Sequence, residues 1–141
     1  MDYARFSDKL IIRMDPGEEV LEQLEMICKK EDIKLAEVKA LGALNDFTVG
    51  LYDTAEKKYH STQFQKAVEI TSLWGTVTTM DGEYYAHLHL SAADITGQVY
   101  GGHLNRAIVS ATIEMVVTVI PGKVERYHDD EVGLNLFKFV R

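Results

Sequence analysis

Tyr84-Tyr85-Ala86-His87-Leu88-His89-Leu90-Ser91-Ala92 alternates apolar and polar side chains one residue at a time. Successive side chains on a strand point to opposite faces, so this period predicts a β-strand. Ala86, Leu88 and Leu90 would face a core, and Tyr85, His87, His89 and Ser91 the other side. The segment from Ile108 to Ile120 repeats the pattern. Val109, Ala111, Ile113, Met115, Val117 and Val119 make an apolar face; Ser110, Thr112, Glu114 and Thr118 make a polar one.

Working outward, further strands are predicted over Leu10–Arg13, Ala36–Leu44, Phe47–Tyr52, Val68–Thr79, Gln98–Leu104 and Leu134–Val140. Asn45-Asp46, Asp81-Gly82, Thr96-Gly97 and Pro121-Gly122 are the turn signals between them. One helix stands out. Asp15 is suited to the N-cap, Pro16 to the first helical position and Glu18 to a capping box. Val20, Leu24, Ile27 and Cys28 then form an apolar stripe, and Lys29 and Lys30 suit the negative pole of the helix dipole. The expected class is α+β, a mainly antiparallel sheet with one principal helix packed on it.

The chain has 141 residues, 46% of them hydrophobic and 26% charged, which is the size and make-up of one ordinary globular domain spanning residues 1–141. No apolar run is long enough to cross a bilayer, and Met1-Asp2-Tyr3-Ala4-Arg5 lacks the features of a signal peptide. A single cysteine, Cys28, forms no internal disulfide, so a cytoplasmic setting is expected and no membrane partner. The net charge is −7, with Lys29-Lys30 and Lys57-Lys58 the densest basic pairs. Binding to a nucleic-acid backbone depends on neutralising phosphates, so this balance opposes it.

The histidines give the chain its chemistry. His87 and His89 share a strand face with Cα atoms about 6.5 Å apart, and His103 follows Gly101-Gly102 on the next strand. Three imidazoles can hold one metal, each nitrogen roughly 2.0–2.1 Å away, and leave a fourth position open as catalytic zinc sites do. Convergence depends on the hairpin. A two-residue turn at Ile95-Thr96 places His103 opposite Leu88, on the wrong face. A three-residue loop, Ile95-Thr96-Gly97, places it opposite His89, with Gly97 in the left-handed position. A bulge at Gly101-Gly102 would also shift the face. A solvated His-x-His pair is the alternative to a metal site.

Glu114 and Tyr85 are candidates for orienting a ligand or moving a proton, with a solvated carboxylate the plainer reading of Glu114. His60 and His128 lie in polar, loop-like stretches and read as surface residues. Cys28 reads as a core residue of the helix, and Trp74 and Tyr84 as packing residues.

Together these segments resemble the PPC domain found in plants and prokaryotes, also called DUF296. The matching elements are Arg13-Met14-Asp15-Pro16-Gly17-Glu18-Glu19-Val20, Leu41-Gly42-Ala43-Leu44, Gly50-Leu51-Tyr52-Asp53, Glu69-Ile70-Thr71-Ser72-Leu73-Trp74-Gly75, His87-Leu88-His89-Leu90 and Gly101-Gly102-His103-Leu104. The resemblance, to the prokaryotic stand-alone type, implies an α+β domain assembled as a homotrimer. It implies a zinc site at His87, His89 and His103. It also implies a DNA-binding or transcription-associated role, although the basic AT-hook of plant members has no counterpart in this sequence.

Three functions compete: a trimeric interaction module stabilised by its metal, a small metal-dependent hydrolase or lyase using the open zinc position, and direct DNA binding. The sequence names no catalytic residue.

Overall fold

The computed structural model describes residues 1–139; Val140, the end of the last predicted strand, lies outside the described residues. The elements run β1 (Asp2–Phe6), β2 (Lys9–Met14), α1 (Val20–Lys30), β3 (Ala36–Asp53), β4 (Lys58–Phe64), β5 (Val68–Met80), β6 (Glu83–Ala93), β7 (Val99–Val119), β8 (Glu125–Asp129) and β9 (Leu134–Lys138). This is the expected α+β class. All strand pairings among the described residues are antiparallel except β5 with β8. β3, β5, β6 and β7 form a closed circuit, because β3 and β6 each pair with both β5 and β7. One face of the sheet, carrying Leu10, Val38, Leu88 and Val117, is buried beneath α1, whose Val20, Leu24, Ile27 and Cys28 complete the core. The opposite face carries the histidines.

Several expectations need correction. The helix begins at Val20 with Glu19 as its N-cap, not at Pro16 with Asp15. Gly17 adopts a left-handed φ of 87°, its N–H donates to the Val109 carbonyl, and Glu19 bridges to Ile108. The segment therefore pairs with β7 before it can coil. The capping-box contact still forms one turn early, since Glu18 accepts from the Asp15 N–H at 2.8 Å. Asn45-Asp46 is a register shift inside one continuous β3, not a turn, and the same kind of shift near Asn105 makes β7 a single strand. Ala111 is exposed, because β7 carries extra residues where its pairing with β3 slips between Gly42 and Leu44. Trp74 is half-exposed on the outer face, its Nε1–H donating to Glu37 at 2.9 Å, so it is not a core packing residue. β1, β4 and β8 were not foreseen. His60 and His128 are exposed as expected, but they sit on β4 and β8.

Candidate metal centre

β6 and β7 are joined by the three-residue loop. His89 lies directly opposite His103, Ala93 opposite Val99, and Gly97 takes φ 80°. Asp94 fixes this geometry. Its Oδ1 accepts from the Thr96 N–H at 2.9 Å and the Gln98 N–H at 3.2 Å, and its carbonyl accepts from the Gly97 N–H at 2.8 Å. The Thr96 hydroxyl donates to Oδ1 at 2.6 Å and Tyr100 to the other carboxylate oxygen; the Thr96 hydroxyl above all, with the Thr96 N–H, Tyr100 and Lys66, holds the Asp94 carboxyl far below its ordinary pKa.

His87, His89 and His103 therefore meet on the outer face, with one ring nitrogen from each lying within 4.8 Å of the others. His87 Nε2 and His89 Nε2 are 3.3 Å apart. Two nitrogens bound to one tetrahedral zinc at 2.0–2.1 Å lie about 3.3–3.4 Å apart, so the pair fits a shared ion. Burial, then the neighbouring His103, Arg126 and His89, pushes the His87 pKa down to about 4. Burial and His89 lower that of His103. Both rings are thus neutral at physiological pH, the form that offers a lone pair to a metal. Glycines make the room. A Cβ on Gly102 would meet the Gly50 carbonyl, and one on Gly50 would strike the Tyr59 ring, which packs edge-on to His103 at 6.0 Å.

The histidines form the floor of a cleft of about 780 Å³, a volume suited to a small molecule. β4 supplies one wall through Tyr59, whose hydroxyl donates to Asn105 at 2.7 Å. The β8–β9 hairpin supplies the other, through Arg126, Leu134, Leu136 and Phe137. Arg126 is only 6% exposed. Its Nε donates to Thr78 Oγ1 and its Nη1 to the Asn135 carbonyl, both at 2.8 Å. The guanidinium carbon lies 4.5 Å from the ring centres of both Tyr85 and Phe137. Nη2 is buried without a partner among the described residues, and burial lowers the Arg126 pKa.

Of the sequence candidates, Tyr85 is in the cleft: it stacks on Arg126, and its hydroxyl accepts from Asn135 Nδ2 at 3.3 Å. Glu114 is not. It is exposed far along β7, opposite Arg13 and Leu41, because each residue of a strand advances the chain by about 3.3 Å. Cys28 is buried and its thiol is pushed up to about 12, which makes it a poor nucleophile. Sequence reasoning missed Tyr59 and Arg126. Tyr59 opens the polar run His60-Ser61-Thr62-Gln63, which has no apolar alternation to mark a strand, and nothing local marks Arg126.

Residues 1–121 match the model of the Plants and Prokaryotes Conserved (PCC) domain family. The chain is 31% identical over 112 residues to the bifunctional protein GlmU of a Synechococcus species, covering 78% of itself but 16% of that protein. It thus spans about a sixth of the length of the curated relatives it matches. Among solved structures, a candidate DNA-binding protein from Bacteroides thetaiotaomicron superposes with a TM-score of 0.96 at 26% identity, covering 99% of this chain and 98% of the other. A metal-containing protein from Archaeoglobus fulgidus gives 0.86 at 30% identity, covering 98% and 96%. A plant- and prokaryote-conserved protein from Pyrococcus horikoshii gives 0.85 at 29% identity, covering 99% and 95%.

Proposed function

The chain belongs to the Plants and Prokaryotes Conserved domain family, and from that premise we propose that it is a cytoplasmic, homotrimeric domain that holds zinc at His87, His89 and His103 and acts there on a small molecule. The observation that carries this reading is the convergence of three imidazoles on the floor of a small-molecule-sized cleft. Similarity to a metal-containing protein supports it. Residues 1–141 act as one domain in this reading, with β8 and β9 continuing the sheet past the matched segment.

Zinc bound there supplies Lewis acidity at the position that three imidazoles leave open. The chain's own groups do the rest. Tyr59 and Gly102 bring the walls close to His103, Tyr85 and Arg126 orient whatever enters, and the leucines of β9 limit water. A hydrolase or lyase is the matching reaction class. Elemental analysis of native protein and His89→Ala, with oligomer mass measured in parallel, is the test. Native protein should carry zinc in proportion to chain and run as a trimer, and His89→Ala should lose the metal. Native protein prepared without chelators and found metal-free would overturn the site.

A DNA-associated role is the second reading, favoured by similarity to the Bacteroides candidate DNA-binding protein. The net charge of −7 on each copy argues for contact through partner proteins. Fluorescence anisotropy with duplex DNA at low ionic strength checks direct binding: salt-sensitive association supports it, and a flat titration removes it.

A further inference from the structure

The cleft holds a charge that the metal reading does not explain. Arg126 is the one fully charged side chain among the described residues that line it; no aspartate or glutamate does. The guanidinium is nine-tenths buried, yet its protein partners are a hydroxyl and a carbonyl, not a carboxylate. Arginine has five N–H donors in a planar fork, and Nη2 is left without a partner among the described residues. Buried charges in proteins are ordinarily paired, and buried donors bonded. The rings of Tyr85 and Phe137 both lie 4.5 Å from the guanidinium carbon and restrain the side chain where it lines the cleft.

The location adds direction. On β6, Tyr85 stands two residues before His87 on the same face, one strand repeat or roughly 6.5 Å away along the backbone, and the guanidinium lies against the Tyr85 ring. Leu134, Leu136 and Phe137 line the same cleft and suit a short hydrocarbon link. Arg126 and this wall come from the hairpin beyond residue 121, outside the segment matched to the family.

We propose that the cleft binds a short dicarboxylic acid, with one carboxylate on the free edge of the Arg126 fork and the other directed to the three-histidine centre. Fork-to-carboxylate pairing is the strong, bidentate form of such contacts, and oxygen donors suit zinc. The histidine end rests on the metal reading above; the Arg126 end does not.

Isothermal titration of the purified, zinc-replete protein with malonate, succinate and glutarate, and with the three matching diamides, tests the idea. At least one acid should bind about tenfold or more tightly than its diamide, and Arg126→Gln should lose that preference while keeping its zinc. Equal binding of acids and diamides, or no binding by either, overturns the proposal, as does an unchanged preference in Arg126→Gln. Should that variant fail to fold, the acid-against-diamide comparison in native protein decides alone. Zinc content measured on the same samples separates the two readings. Metal-free native protein defeats the metal site, whereas zinc-replete protein indifferent to the acids defeats only the dicarboxylate.

Discussion

The floor and the hairpin wall of the cleft are built in opposite ways. The floor comes from adjacent strands, β6 and β7, joined by three residues, so its geometry follows from one short loop and the strand period. The wall comes from β8 and β9, which reach the cleft by parallel pairing of β8 with the far end of β5, and its anchor Arg126 meets Thr78 across 48 positions of sequence. The floor groups three imidazoles suited to a cation, while the wall holds a cation without a carboxylate partner among the described residues. A site can thus divide its labour between a locally determined part that sets the chemistry and a distant part that selects the ligand.

The sharpest way to break the floor is Gly75→Ala. Gly75 sits opposite Leu88, and a Cβ there would lie 2.0 Å from the His87 carbonyl oxygen. Neither backbone can yield cheaply, so urea denaturation should show a loss of about 3 kcal/mol, with weakened zinc retention because His87 moves too. The same substitution should leave the Arg126 contacts intact in whatever fraction folds.

Acid should also act on the floor first. In chelator-stripped protein the His87 pKa lies near 4, below its ordinary 6.5, because of burial and its neighbours. The unfolded chain then binds the proton more readily than the folded one, so stability is full above pH 6.5 and falls as pH drops toward 4. His87 is only partly buried, and solvent screening cuts the effect to about 2 kcal/mol at most. Urea melts at closely spaced pH values check this; constant stability across that window would mean the rings are not desolvated as the structure has them.

The contrast also explains what could be read from sequence. The alternation around Leu88 and Leu90 revealed β6 because burial there follows the strand period without interruption. The loop alternatives were both visible, and Gly97 marked the correct one, since a left-handed position favours glycine. The merged strands β3 and β7 were hidden because their bulges, near Asn45 and Asn105, use the same polar residues that turns use. The start of α1 was misplaced because Asp15-Pro16 satisfies local rules, while a bond from Gly17 to β7 overrides them. Arg126 was invisible for a plainer reason: its burial depends on Thr78, Tyr85 and Phe137, and no periodicity relates those positions.

The wall can be weakened without touching the floor. Phe137→Ala removes one of the two rings against the Arg126 guanidinium, together with part of the apolar wall. Phe137 is 42% exposed, so the loss of packing and of cation–π attraction should cost about 1–2 kcal/mol in a urea or thermal melt. Zinc content should be unchanged. A fall in bound metal would show that floor and wall are coupled, and the division of labour would fail.

The smallest effect expected is at the loop that sets the register. A Cβ on Gly97 meets nothing within 4 Å, so Gly97→Ala carries no clash and only the cost of a left-handed backbone. That cost is about 1 kcal/mol, and Gly97→Asn should recover part of it because asparagine tolerates this conformation better. The bonds from Asp94 to residues 96, 97 and 98 hold the loop at three residues in both variants. His103 should therefore stay opposite His89, and both variants should carry as much zinc as native protein. Loss of zinc from a folded Gly97→Ala would mean that the glycine, rather than the Asp94 bonds, keeps the third histidine on the metal-facing side of β7.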